Sequence, residues 1–326
     1  MDKKSYKVSI LVPIYGVEKY ISKCANSLFG QSYDNIEFVF VDDCTPDNSI
    51  KVLQEVLELY PHRKASVKIV RHEFNQGLSA ARNTALDNST GDYVMHVDSD
   101  DYLDEKAVEA CVENAIKTSA DVVRLAITMD YGERKVDWNF SITNKDEYLR
   151  QILRREVPVT VWGILYKKDM LIKSGVRSID GISFGEDYCT LPRIIFNSTK
   201  VSYVENVKYN YLMFNTNSLT ARYSHKTYLD AINTISTLEN FFFSNGREKF
   251  RNEFQIGALG LLFDLLIDCI KNNNKEDWNI LQPYLKYDIS LIQSLKIRWA
   301  LKLMKRSKIE KLSKCYNFLK SLNLIK

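Results

Sequence analysis

The residues best equipped for chemistry lie together in Thr90 to Asp104, TGDYVMHVDSDDYLD. Gly91 reads as a turn, and Tyr93-Val94-Met95-His96-Val97 reads as a strand that ends in Asp98, Ser99, Asp100 and Asp101. Three Asp within four residues repel one another, and a loop that holds them close needs a cation or hydrogen-bond donors to offset that repulsion. A hard divalent ion is one answer. The other is a solvated turn that caps the next helix, with Asp101 or Asp104 as the N-cap. The stretch alone does not separate the two.

Other carboxylates end strands or open helices in the same way. Val8-Ser9-Ile10-Leu11-Val12-Pro13-Ile14 is a β-branched run without helical period, as expected of a strand buried on both faces, and it stops at Tyr15-Gly16. Ile36 to Val41 is a second strand, closed by Asp42-Asp43, and Val67 to Arg71 is a third. Between them lie helical patterns: Tyr20, Ile21, Cys24 and Leu28 share one face, and Ile50, Leu53, Val56, Leu57 and Tyr60 share another. Ser79 is placed to cap a helix over residues 80–86. Residues 104–119 read as a helix with Ala107, Val108, Cys111, Val112 and Ile116 inward, and residues 121–129 as a strand.

Strands and helices alternating at this spacing predict an α/β fold with a mostly parallel, Rossmann-like sheet flanked by helices. Ligands of such sheets bind outside the carboxyl ends of the strands. Tyr15, Asp42-Asp43 and the Asp98 to Asp101 cluster then fall on one edge. Further along, residues 159–166 are strand-like, and Gly181 to Asp187 is a glycine-punctuated loop that sets Glu186-Asp187 before an apolar run. Residues 201–204 and 207–211 read as two strands joined by a turn at Glu205-Asn206. From His225 onward the period is helical, giving an expected division into residues 1–224 and a helical extension, 225–326.

Composition narrows the function classes. The 326 residues are 45% hydrophobic and 26% charged, those of an ordinary globular protein with ample core. Six scattered Cys without a CxxC pair disfavour zinc and disulfide scaffolds and fit a reducing cytoplasm. The N-terminus lacks the pattern of a signal peptide, and the apolar run at residues 258–270 is interrupted by Asp264 and Asp268 and too short to span a bilayer. No GxxxxGKS phosphate loop points to an ATPase or kinase. His62, His72 and His96 lack metal-ligand spacing.

With these elements placed, the chain resembles the family 2 glycosyltransferases, inverting enzymes with a GT-A nucleotide-sugar domain. The resemblance rests on VSILVPIYGVEKYISKCANSLFGQSY, IEFVFVDDCTPDNS, NQGLSAARNTAL, GDYVMHVDSDDYL, VWGILYKKDML, FGEDYCTLPRI and YNYLMFNTNSLT in that order, over about the first two-thirds of the chain. One departure is Gly16, where the family usually has Asn. The resemblance implies that Pro13 and Tyr15 line the nucleotide pocket and that Asp43, beside Asp42, accepts a hydrogen bond from uracil. Arg82 and Asn83 match the NxGLSxARN segment, where Arg82 would pair with the acids or with a phosphate. Asp98 and Asp100 become a DxD element for Mn²⁺ or Mg²⁺, with Asp98 and Ser99 also on the nucleotide sugar. Asp187 of the ED pair becomes the base, and Trp162, Gly163 and Glu186 fall on the acceptor side. Asn217, Ser218 and His225 would belong to a closing loop, though His225 as an ordinary surface histidine is also open.

The activity so implied is transfer of a hexose or N-acetylhexosamine from a UDP-sugar to a glycan or lipid-linked acceptor in surface polysaccharide assembly. A catalytically silent nucleotide-sugar-binding partner and a nucleotidyltransferase on a similar sheet are the rivals. The tail is basic from Lys296 on, with Glu310 as its lone acid, and Ile297, Trp299, Leu301, Met304, Ile309 and Leu312 recur at helical spacing. Such a helix either lies on an anionic membrane surface, making the chain peripheral at the inner face of the cell membrane, or packs on the protein with a basic outer face. Nucleic acid is not expected, since no recognition module accompanies the charge.

Overall fold

In the computed structural model the described residues are 5–213, 223–244 and 246–314. The chain divides into two compact units: Met1–Leu149 with Pro158–Ser218, and Arg150–Val157 with Leu219–Lys326.

The first unit opens with β1 (Val8–Ile14), α1 (Ile21–Phe29), β2 (Ile36–Asp42), α2 (Ser49–Glu58), β3 (Val67–Arg71), α3 (Leu78–Asp87) and β4 (Tyr93–His96). It continues through β5 (Tyr102–Leu103), α4 (Ala107–Thr118), β6 (Val122–Asp130), β7 (Lys135–Trp138), the first half of α5 (Lys145–Leu153), whose residues from Arg150 on belong to the second unit, then β8 (Ile164–Lys167), α6 (Lys168–Ser174), α7 (Glu186–Asn197) and β9 (Val201–Leu212). Among the described residues the sheet has nine strands in the order β3-β2-β1-β4-β8-β6-β9-β5, with β7 alongside β6. It is parallel from β3 to β4 and mixed beyond, because β8 runs antiparallel to both β4 and β6.

Every residue of β1 is buried, which is why its sequence shows no alternation. Its apolar side chains meet Phe29, Phe38, Phe40, Met95 and Leu165 in one core. Close approach at the start of β4 requires Gly91: a Cβ there would stand 2.6 Å from Ser9 Oγ and 2.8 Å from Lys7 O.

Several expectations change. Residues 201–212 form one strand, not a hairpin; β9 stays parallel to β6, and the pairing slips from Val204 opposite Leu125 to Lys208 opposite Ala126. Glu205 and Asn206 are thus absorbed as a bulge, which bends a strand without reversing it. The strand expected at 159–166 shortens to β8, with an isolated bridge between His96 and Trp162. The helix expected from Asp104 starts at Ala107, since Asp104 is tied to β9 instead: its N–H donates to Lys208 O at 3.1 Å and its carboxylate accepts from Lys208 N and Asn210 Nδ2. Ile116 is 49% exposed, and Ser79 lies inside α3, where its hydroxyl donates to Ile182 O at 2.9 Å.

The second unit is helical: α8 (His225–Phe242), α9 (Arg251–Asn272), α10 (Lys275–Leu281), α11 (Leu295–Arg306) and α12 (Ile309–Lys314). A capping box between Ser224 and Thr227 fixes the start of α8. Phe254, Leu262, Leu265, Leu266 and Trp278 are buried in its core. Among the described residues no helix is long and apolar enough to cross a membrane.

Candidate functional site

Parallel pairing brings the expected residues to one sheet edge. Ile14 pairs with Asp42, and Asp43 N–H donates to Ile14 O at 3.0 Å, so Tyr15 and Asp43 leave neighbouring strands together. Leu11 pairs with His96, and Val97 N–H donates to Leu11 O, which sets Asp98 beside the same edge. Pro13 is buried within β1, whereas Tyr15 is 51% exposed. Gly16, at φ +67, takes a conformation that side chains with a Cβ adopt rarely, and its N–H donates to Thr45 Oγ1 at 2.9 Å. The loops after β1 and β2 are tied further by Val17 N–H to Ser49 Oγ and Glu18 N–H to Asp47.

Asp43 is almost fully buried. Its Oδ1 receives Gln76 N–H at 2.8 Å and lies 2.7 Å from His72 Nδ1, while Oδ2 receives Gly77 N–H at 2.8 Å. Asp42 accepts from Thr45 N and pairs with Arg71 at 3.3 Å. His72, given no role from spacing, therefore sets the orientation of Asp43; the partners lie 29 residues apart.

The Asp-rich loop divides into two jobs. Asp101 is fully buried and receives Leu212 N–H at 2.8 Å and the Tyr209 hydroxyl at 2.7 Å, while its own N–H donates to Asp98 O. Asp104 accepts from Lys208 N and Asn210 Nδ2. These two carboxylates anchor the loop to β9, so Asp101 is neither a helix cap nor free for an ion. Burial, with the charges of Asp100 and Asp98, pushes the Asp101 carboxyl well above the usual range. Asp98 and Asp100 remain toward the edge, with Ser99 buried between them. Asp98 N–H donates to the Tyr209 hydroxyl oxygen at 3.1 Å.

Arg82 joins this loop to α7. Its guanidinium is 2% exposed and reaches Asp98 Oδ1 at 3.0 Å, Asp187 Oδ1 at 2.9 Å and Glu186 Oε1 at 3.5 Å. The acids are one of the two kinds of partner expected for it, and it lies within reach of three of them. Gly185 adopts φ +76 and ends the preceding loop, placing Glu186 and Asp187 in the first turn of α7, where the helix dipole favours anions. Burial and the neighbouring Asp187 charge push Glu186 upward against Arg82. Burial likewise raises Asp187, with Arg82 opposing and Asp98 adding to the rise. The Val161 backbone and the more distant Arg124 charge also oppose the rise. Burial and the Arg82 charge push His96 down to about 3, so it is neutral at physiological pH.

On the expected acceptor side, Gly163 has φ +66, and a Cβ there would lie 3.1 Å from the Tyr209 ring. Trp162 is 4% exposed and stacked on Tyr209 and Tyr211, with centroids 4.3 and 5.1 Å apart, the packing of a core side chain. His225 Nδ1 lies 2.6 Å from Asp277 Oδ1 within the helical unit. Asn217 and Ser218 lie outside the described residues.

A family model described as Glycosyl transferase family 2 matches residues 9–174, about half of the chain and the whole stretch from β1 through the acid loop to α6. The chain belongs to glycosyltransferase family 2. Among relatives, Glycosyltransferase GlyA of Streptococcus pneumoniae serotype 4 is 33% identical over 219 residues, covering 63% of this chain but 30% of GlyA. EpsJ of Bacillus subtilis is 31% identical over 188 residues, 55% of this chain and 53% of that protein. The chain thus spans about a third to a half of these relatives. In three dimensions it superposes on S. aureus TarS 1–349 in complex with UDP-GlcNAc with a TM-score of 0.76 at 20% identity, covering 95% of this chain and 91% of that one. This family 2 chain therefore has the GT-A fold.

Proposed function

We propose that this chain is a metal-dependent inverting glycosyltransferase that moves a hexose or N-acetylhexosamine from a UDP-sugar to a hydroxyl of a glycan or lipid-linked acceptor in bacterial surface polysaccharide assembly. Residues 1–224 form the transferase domain, and 225–326 the helical extension. The observation that carries this reading is the Arg82 cluster, which brings Asp98 of the acid loop and Asp187 of α7 onto one guanidinium. A UDP-sugar donor is supported by the TarS complexes with UDP-GlcNAc and UDP, and the polysaccharide setting by relatives such as the minor teichoic acid biosynthesis protein GgaB of Bacillus subtilis.

The residues fit a divalent ion. Asp98 and Asp100 offer hard carboxylate oxygens, as Mg²⁺ and Mn²⁺ prefer. The carboxylates also outnumber their cation: Arg82 faces Asp98, Glu186 and Asp187, and after burial itself the acid-loop charges add to the upward shifts of Cys24 and Asp101. Two side chains do not fill a shell, and among the described residues no group of three or more His, Cys, Asp or Glu is arranged to hold an ion. Asp98 and Asp100 would therefore hold it together with the donor's phosphate oxygens. Once bound it supplies Lewis-acid neutralisation of charge on the diphosphate. A divalent ion is in keeping with the Pyrobaculum calidifontis mannosyltransferase, a fold neighbour with a TM-score of 0.55 at 14% identity that was solved in complex with GDP-Man and Mn²⁺.

The rest is done by this chain. Tyr15 presents an exposed ring for the base, and the resemblance assigns Pro13, Asp42 and Asp43 to the uracil end. Arg82 and Ser99 position the donor from below. The acceptor hydroxyl enters beside Gly163 and Glu186, with Trp162 backing that wall from the core. Its oxygen bonds to the anomeric carbon as the bond from that carbon to the diphosphate oxygen breaks, and its proton passes to an Asp187 carboxylate oxygen. Burial makes Asp187 a stronger base than an exposed carboxylate.

An anionic membrane surface is the proposed partner of α11. The helix contains Lys296, Arg298, Lys302, Lys305 and Arg306 and no acid. It packs through Ala300, Leu301 and Met304, while Leu295 is 74% and Trp299 47% exposed. The test of function is a panel of nucleotide sugars with Mn²⁺, scored for acceptor-dependent nucleotide release and for the anomeric configuration of the product. Release from UDP-sugars with inversion is expected. Retention, or no transfer from any UDP-sugar, overturns the reading.

A further inference from the structure

Among the described residues, three buried polar atoms of the first unit have no hydrogen-bond partner although their residues share one cavity: Arg82 Nε, His96 Nδ1 and Thr190 Oγ1. The residues come from α3, β4 and α7, and the cavity they line has a volume of about 20 Å³. A buried donor or acceptor without a partner is costly, and three around one space call for something that satisfies them together. Thr190 is the sharpest case. A Thr inside a helix commonly turns its hydroxyl back to the carbonyl four residues earlier, here that of Glu186, and Thr190 does not. It follows Asp187 by three residues, so both lie on one face of α7. Other polar side chains of the lining are bonded elsewhere: Tyr166 donates to Val161 O at 3.0 Å, Asn83 Nδ2 donates to Ser178 O at 2.9 Å, and Arg177 pairs with Asp87 at 2.7 Å.

We propose that this cavity binds one water molecule, which ties the Nε end of Arg82 to His96 and Thr190 and makes those two residues positioning residues for the guanidinium. The volume suits this ligand: a single water needs about 10–15 Å³, so the cavity holds one and not two. Donors and acceptors match as well. Arg82 Nε–H can only donate, and it gives its proton to the water oxygen. A neutral His96 with its proton on Nε2 presents Nδ1 as an acceptor for one water proton. The Thr190 hydroxyl accepts the other, and three partners are the usual number for an internal water. The consequence falls on Arg82. Its Nη1 reaches Asp187 and Glu186 and its Nη2 reaches Asp98, so these contacts all lie at the far end of the group. A planar fork held only there can tilt, and a bond at Nε sets its plane. Thr190 shares α7 with Asp187, and His96 ends β4 two residues before Asp98, so the water links the elements that the guanidinium spans. The water site stands whether or not Asp187 is the base; its effect on transfer rests on that reading.

In a crystal structure of the full chain that resolves ordered waters, one water is expected within hydrogen-bond distance of Arg82 Nε, His96 Nδ1 and Thr190 Oγ1. A cavity without ordered density, or Arg82 Nε bonded directly to His96 Nδ1, overturns the proposal. In solution, magnetic relaxation dispersion of the water oxygen counts long-lived internal waters in wild type, Thr190→Val and Thr190→Ser. Thr190→Val keeps the shape of the side chain without its hydroxyl and is expected to lose one such water, while Thr190→Ser keeps the hydroxyl and the water. An equal count in all three overturns the proposal, and the wild-type crystal structure decides it if Thr190→Val fails to fold. Single-turnover transfer reads the positioning role. Loss of one hydrogen bond is expected to slow Thr190→Val about fivefold, with Thr190→Ser restored to within about twofold of wild type. Loss of the water with transfer unchanged overturns the positioning role. Asp187→Asn separates the two levels: transfer at the wild-type rate removes the base assignment and leaves the water site to the crystal and relaxation measurements.

Discussion

Arg82→Met is the most informative perturbation of the cluster. Arg82 is 2% exposed and ion-paired with Asp98, Glu186 and Asp187, whose side chains are 22%, 15% and 16% exposed. Removing one partner of a buried ion pair costs about 3–5 kcal/mol, and residual exposure of the carboxylates places the expected loss near the lower bound. The loss should depend on pH. Glu186 and Asp187 both titrate higher in the folded state than in the unfolded chain, so the folded state holds more protons. Their contribution to stability therefore falls as pH rises from the unfolded carboxyl range, about 4, towards the folded values. Arg82 opposes that fall in the wild type, and without it the folded values rise further. Urea unfolding of wild type and Arg82→Met should then show a difference of about 3 kcal/mol at pH 8 that shrinks by about half or more at pH 5, where the carboxyls can be protonated. An equal difference at both pH values would refute the reasoning, because it would mean that Arg82 stabilises by packing alone.

Other outcomes follow from single contacts. Tyr209→Phe leaves Asp101 Oδ2 and the Asp98 N–H without their shared partner, and should cost about 1–3 kcal/mol in chemical denaturation while weakening UDP binding in calorimetry. Gly163→Ala places a Cβ against the Tyr209 ring at a positive φ and should destabilise by about 1–3 kcal/mol, read as a lower thermal midpoint. Asp100→Ala should abolish Mn²⁺-dependent activity with little change in unfolding free energy; an unchanged metal response would remove Asp100 from the ion. Leu295→Glu with Trp299→Glu should abolish co-sedimentation with vesicles rich in anionic lipid and leave transfer to a soluble acceptor intact, whereas sedimentation that persists would exclude α11 as the contact.

The first half of the fold was legible because β1, β2 and β4 are buried on both faces and written as apolar runs, each ending in the polar residues that mark the sheet edge. The position of the acids was legible for the same reason. Their roles were not. That Asp101 anchors the loop while Asp98 and Asp100 face outward depends on β9 passing beside them, with Tyr209 and Leu212 more than 100 residues away. Glu205-Asn206 looked like a turn because a polar pair between β-branched runs reads the same in a bulge as in a hairpin. His72 carried no signal of spacing at all, since its partners Asp43 and Thr84 come from other elements. Arg82 was visible as part of a motif, but only the fold shows that one guanidinium spans the acid loop and α7.

The most direct measurement is the single-turnover rate of sugar transfer by Asp187→Asn from a UDP-sugar that the wild type uses, with UDP affinity measured alongside. A rate lower by about 10²–10⁴-fold at an affinity within about twofold of wild type is expected of a lost general base. Transfer at the wild-type rate where chemistry is limiting would contradict the assignment of Asp187 and, with it, the proposed mechanism.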